Sequence, residues 1–165
     1  MNNNRIILII SCMASFITPF LASSVNVALP TINSDLAVTD QALLGWVVTG
    51  FLLSAAIFVV PFGRIADVFG RKKIFVIGML VLIVSSLLCS ISSSIYMLIV
   101  SRAVEGLGSA MIFGTAVAML TSVFPASERG KVLGINVAIV YLGASTGPFL
   151  GGFITPFGSL LNHFL

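Results

Sequence analysis

Charge is what this chain has least of. Eight Lys and Arg and five Asp and Glu make up 8% of its 165 residues, where a soluble globular chain carries about 25%. A soluble domain of this length could not hide its apolar side chains and still present a wettable surface. The formal net charge is +3 and the pI about 9.2. The basic residues nevertheless fall in short clusters between apolar runs, with no basic helix face or interleaved aromatics, which excludes a nucleic-acid partner. Cysteine occurs twice and histidine once. Cys12 and Cys89 each lie inside a long apolar stretch with no second ligand at metal spacing, and both read as small packing residues. The sequence also lacks a Gly-rich nucleotide loop, a metal cluster and a nucleophile–base pair, which argues against an enzyme and implies no cofactor.

What the chain has instead is apolar length. Hydrophobic residues make up 58% and the mean hydropathy is +1.18, so the solvent is lipid. A helix rises 1.5 Å per residue and the hydrocarbon core is about 30 Å thick, so roughly 20 apolar residues span it. Five segments qualify, at about 5–26, 42–62, 74–92, 95–124 and 132–154. They must be helices, because isolated strands would leave backbone groups unpaired in hydrocarbon, and the alternation of a β-barrel is missing. The fold class is therefore all-α integral membrane. A cleavable signal peptide is the competing reading of the first segment, but its apolar region outruns the usual signal core and continues through Val25 to Leu29.

Basic residues flanking spans stay on the cytoplasmic side. Arg5, Arg64, Arg71, Lys72, Lys73, Arg129 and Lys131 all fall on one side of the bilayer when the N-terminus is cytoplasmic, while 31–41 and 93–94 hold no Lys or Arg, and Asp35 and Asp40 lie in the first of them. The expected placement is multi-pass in the cell (plasma or inner) membrane, N-terminus inside and C-terminus outside.

The eighth basic residue, Arg102, lies within the fourth span three positions before Glu105, so both project from one helical face. Intramembrane charge is costly and marks a functional site by default. A self-neutralising structural ion pair is the plainer alternative.

Segment 63–73, GRIADVFGRKK, resembles the loop between the second and third helices of the major facilitator superfamily, which gates the cytoplasmic side. Gly63 and Gly70 suit a tight turn, Asp67 can accept hydrogen bonds from a neighbouring helix N-terminus, and Arg71 can pair with it. Arg64 belongs to the same motif, and Glu128, in the next loop, is expected to join the network. Segment 102–110, RAVEGLGSA, is similar to the family's fourth-helix motif of Arg, a polar residue and paired glycines, here including Gly106. The family more often has Gln where this chain has Glu105, which can titrate. The resemblance implies that Arg102 tunes protonation of a nearby group.

Segment 143–152, GASTGPFLGG, looks like the fifth-helix motif of the drug–proton antiporter branch, carried by Gly143, Gly147, Pro148, Gly151 and Gly152. Glycines four apart form a groove for close helix contact, and Pro148 removes a backbone donor and permits bending. FLASSVNVALPTI, 20–32, resembles the opening motif of the fourteen-helix subfamily, with Asn26 and Pro30 in place but Leu21 where that motif carries Asp. Trp46 and Thr49 also match the subfamily, with interfacial anchoring and packing as the equal alternative.

The resemblance covers about 6–155. It implies five helices of an N-terminal six-helix half, lipid and proton partners, a small amphipathic or cationic drug as substrate, and further transporter helices beyond this chain. His163 falls in the tail outside the resemblance and reads as incidental. The sequence implies a truncated proton-coupled multidrug exporter, inactive alone. The alternatives are a non-transporting membrane remnant or interaction protein, and a metabolite porter of the same superfamily.

Overall fold

The computed structural model describes residues 3–36 and 40–164, with side chains described for 4–34, 36 and 40–152. Five helices make up the described fold: α1 (Asn3–Asp35), α2 (Gln41–Phe69), α3 (Arg71–Ser90), α4 (Ile95–Val123) and α5 (Ala126–Phe164). All five are long and apolar enough to cross a membrane.

Each helix occurs where an apolar run predicts one, but most are longer than the run. Helix α1 continues past Asn26 and Pro30 to Asp35, and contains Pro19 and Pro30. Helix α2 takes in Gly63, Arg64 and Asp67, and the basic cluster 71–73 forms the first turn of α3. The expected loops at 63–73 and 31–41 thus shrink to Gly70 and to the stretch after Asp35. Apolarity marks only the part of a helix that lies in hydrocarbon, whereas backbone hydrogen bonding carries the helix on through polar residues at the interface. Helix α5 likewise runs unbroken through Pro148 and past residue 154. The side chain of His163 lies outside the described ones.

Local chemistry sets the ends. The Asp40 carboxylate caps α2 by accepting from the Ala42 N–H at 2.9 Å. Gly70 closes α2 and opens α3 in a single residue. Its φ is +102°, which glycine adopts without penalty; its N–H donates to the Ala66 carbonyl, and its own carbonyl accepts from Lys73 and Ile74.

Helix α4 is the centre of the bundle. It packs extensively on α2 and α3, while α1 lies along α5 and touches α4. The interior is polar relative to the surface: Ser101, Arg102, Glu105, Ser109 and Thr115 of α4 and Ser11, Ser15 and Thr18 of α1 are buried. Leu52, Leu53, Val60, Leu80, Leu87 and Phe149 are exposed, as expected of a surface that meets lipid. Small residues let these helices approach. A methyl group added at Gly108 would come 2.9 Å from the Gly78 carbonyl oxygen, and one at Gly114 2.9 Å from that of Val59. On α5, a methyl at Gly147 would strike Ser23 Oγ and come 2.8 Å from the Phe20 carbonyl oxygen.

Substitution of these glycines has a sign set by position. At Gly130 nothing lies within 4 Å of an added methyl, so Gly130→Ala should stabilise the helix by up to about 1 kcal/mol through propensity. Gly147→Ala should lose that gain to overpacking and destabilise by about 1–3 kcal/mol. Thermal unfolding of the two variants in detergent checks the opposite signs.

Candidate functional site

The Arg102 and Glu105 side chains, one turn apart on α4, meet at 2.5 Å between Nη1 and Oε2. Both are nearly sealed, with 3% of Arg102 and 1% of Glu105 exposed. Each of the other three central helices contributes to this pair. From α1, the Leu21 carbonyl accepts from Arg102 Nη2 at 3.3 Å. From α2, the Phe51 ring lies with its centroid 5.2 Å from the guanidinium carbon, a cation–π contact. From α3, Cys89 Sγ donates to Glu105 Oε2 over 3.9 Å. Gly106 makes room for this, since a methyl there would strike the Phe51 carbonyl and crowd Ser54 and Ala55. Arg102 Nε is buried without a hydrogen-bond partner.

The arrangement sets a carboxylate directly beside a cation inside the bundle, both of them buried. The sequence points to the pair but not to its surroundings. Leu21, which stands where the subfamily motif carries Asp, contributes its backbone carbonyl instead. Cys89, expected to be mere packing, is only half-buried and touches the acid, whereas Cys12 is buried at 7% exposure. Neither contact has a sequence signal, because one is made by backbone and the other depends on the register of α3 against α4.

The second polar cluster is at the end where the N-terminus lies. Arg71 donates through Nε to Asp67 Oδ1 at 2.9 Å and through Nη1 to the Ala118 carbonyl at 2.6 Å, fastening the α2–α3 turn to the last turns of α4. A cation there also meets the negative end of the helix dipole. Asn4 Nδ2 reaches the Val123 carbonyl at 3.4 Å, so the N-terminus, the α2–α3 turn and the α4–α5 turn share one end of the bundle.

Three expectations about this end change. Gly63 is not at the turn but inside α2, 3.9 Å from the Gly114 carbonyl oxygen as judged by an added methyl. Asp67 bonds the Arg71 guanidinium as expected, but among the described residues no helix N–H donates to it. Glu128 stands in the first turn of α5, and the ion pairs among the described residues are Asp67–Arg71 and Arg102–Glu105; neither includes Glu128 or Arg64. Residues Gly143, Gly147 and Gly151 do form one seam, over Phe16, Phe20 and Ser24 of α1. Gly152 faces Val27 more loosely, with 3.6 Å from an added methyl to its side chain. Pro148, Asn26, Pro30, Trp46 and Thr49 are on exposed surface.

Fold and site together define a polytopic helical membrane protein with a charged pair sealed in its centre. Residues 11–163 match the Major Facilitator Superfamily, and the chain belongs to that family. The match includes His163, beyond the 155 at which the motif resemblance stops. The chain is 33% identical over 164 residues to the riboflavin transporter RibZ of Clostridioides difficile, covering 99% of this chain and 34% of that protein. It is 35% identical over 156 residues to the multidrug resistance protein Stp of Mycobacterium tuberculosis, covering 93% of this chain and 29% of Stp. It is 36% identical over 151 residues to the cephamycin export protein CmcT of Amycolatopsis lactamdurans, covering 91% and 31%. The chain thus spans about a third of the length of these curated relatives. Its kinship is with transporters.

The polar end gives a graded expectation. The Asp67 and Arg71 side chains are 57% and 36% exposed, so Asp67→Asn should cost under about 1 kcal/mol. Arg71→Ala also forfeits the bond to α4 and should cost about 1–3 kcal/mol. Chemical denaturation of both variants measures the order, which a purely local ion pair would make equal.

Proposed function

We propose that this chain is the N-terminal part of a proton-coupled exporter of small amphipathic or cationic drugs, of the fourteen-helix antiporter kind. The observation that carries this reading is the Arg102–Glu105 pair, buried in the fourth helix of a transporter-family bundle with a titratable acid where the family more often has Gln. The α1–α5 glycine seam resembling the antiporter branch supports it, as do the names of Stp and CmcT. RibZ favours a second reading, a porter for a flat aromatic metabolite such as riboflavin, through the same helices.

The seven clustered basic residues support a cytoplasmic position for the end holding 63–73 and 125–131. Single cysteines at Lys72→Cys and Ser34→Cys, in a chain lacking Cys12 and Cys89, test this with an impermeant thiol reagent on intact cells. Labelling at 34 without labelling at 72 is expected; the reverse overturns the orientation.

Transport in this fold is the rocking of two halves around a midplane site. The 165 residues contribute five helices to that architecture, so by themselves they should insert without exporting. In proteoliposomes with an imposed pH gradient, this chain is expected to leave a fluorescent cationic dye in place. A full-length transporter carrying these helices should move it, more slowly after Asp67→Asn and not at all after Arg102→Ala. Gradient-driven movement of riboflavin and not of dye would select the second reading.

A further inference from the structure

Helix α3 packs on α4 and α2 and buries one side, with Ile74, Phe75, Gly78 and Leu82 on it. Its opposite side is open: Val76, Ile77, Leu80 and Val84 are exposed. Lys72 and Lys73, also exposed, stand four residues before Val76 and Ile77 and so head the same face. The face is a charged head above an apolar track, on a helix long enough to cross a membrane.

The protein's own charges leave these two lysines unanswered. The ion pairs among the described residues are Asp67–Arg71 and Arg102–Glu105, and neither includes them. The neighbouring Arg71 is engaged by Asp67 and the Ala118 carbonyl. Helix α3 has no acid in its first turn, and cations there are opposed by the helix dipole. Two ammonium groups are thus held where the local field disfavours them, at an end where seven basic residues meet two carboxylates, Asp67 and Glu128. The surface beside them is apolar. Helix α2 ends in Val68 and Phe69, 79% and 66% exposed, directly across Gly70 from the lysines.

We propose that the outward face of α3 is a binding site for an anionic phospholipid of the leaflet at the N-terminal end of the bundle. The lipid phosphate lies between the Lys72 and Lys73 ammonium groups, which reach headgroup level on apolar stems. One acyl chain runs along Val76, Ile77, Leu80 and Val84, and Val68 and Phe69 sit at the boundary between headgroup and chain. Charge complementarity selects the headgroup, and the apolar track selects a lipid over a free phosphate. The site goes beyond the transport reading and holds whichever substrate the helices move.

Native mass spectrometry of the 165-residue chain, released from detergent after addition of phosphatidylglycerol or phosphatidylcholine, tests the site. Phosphatidylglycerol is expected to bind well ahead of phosphatidylcholine. A basic side chain beside an anionic membrane surface is worth about fivefold in affinity. Lys72→Gln combined with Lys73→Gln should therefore weaken phosphatidylglycerol binding on the order of 20-fold and leave phosphatidylcholine unchanged. Lys72→Arg with Lys73→Arg should bind as the parent does. Arg129→Gln with Lys131→Gln removes the same charge elsewhere at this end and should lose less than about threefold, since screening confines the effect. Leu80→Asn should weaken binding with both lysines in place, and thermal unfolding in detergent shows that each variant is folded. Equal binding of the two lipids, or equal losses in the two Gln pairs, overturns the site. Full displacement of phosphatidylglycerol by glycerol phosphate overturns it too, because the ligand would then be a free anion. So does a dimer that Leu80→Asn breaks and phosphatidylglycerol does not, because a second copy would then cover the face.

Discussion

A charge held inside a lipid-embedded bundle must bring its neutralising partner with it, and the structure is organised around that requirement at Arg102. Isolated burial of such an ion costs several kcal/mol even after relaxation. Glu105 answers the charge from one turn away, and a carbonyl from α1 and an aromatic face from α2 complete the cage. The pair thereby couples three helices that are far apart in sequence. The remaining central helix reaches the acid through Cys89 of α3.

Those contacts need helices that approach more closely than ordinary side chains allow, and the glycines of α4 serve this end. Gly106 lets Phe51 of α2 reach the guanidinium, and Gly108 draws in α3 near Gly78 and Leu82. In lipid there is little hydrophobic drive between helices, so van der Waals packing at small residues and interhelical polar contacts carry association. A seam of the same kind joins α5 to α1. The result is a polar, tightly packed centre with an apolar exterior, and a site whose chemistry depends on how α3 and α4 are registered.

Much of this was legible in sequence. Five apolar runs give five helices, because crossing hydrocarbon leaves the backbone no alternative. Arg102 and Glu105, three apart, had to share a face, and the four-spaced glycines had to make one groove. What stayed hidden was interfacial or backbone-mediated. Apolarity says nothing of helix beyond the hydrocarbon, so the sequence suggests a loop at Gly63 and Asp67 where the structure has the last turns of α2. Charge groups Glu128 with Asp67, whereas Arg71 uses its Nη1 to donate to the Ala118 carbonyl, an acceptor that any residue could provide. The roles of Leu21 and Cys89 likewise follow from tertiary register and not from residue type.

The claim on which the rest depends is that Arg102 and Glu105 are one energetic unit in the centre of the bundle. A double-mutant cycle with Arg102→Met, Glu105→Leu and the combined variant, followed by reversible denaturation in detergent, measures it directly. Each single substitution leaves an uncompensated buried charge and should cost about 3–5 kcal/mol, while the double variant should regain most of that loss. Single variants as stable as the parent, or losses that simply add in the double variant, would contradict the account.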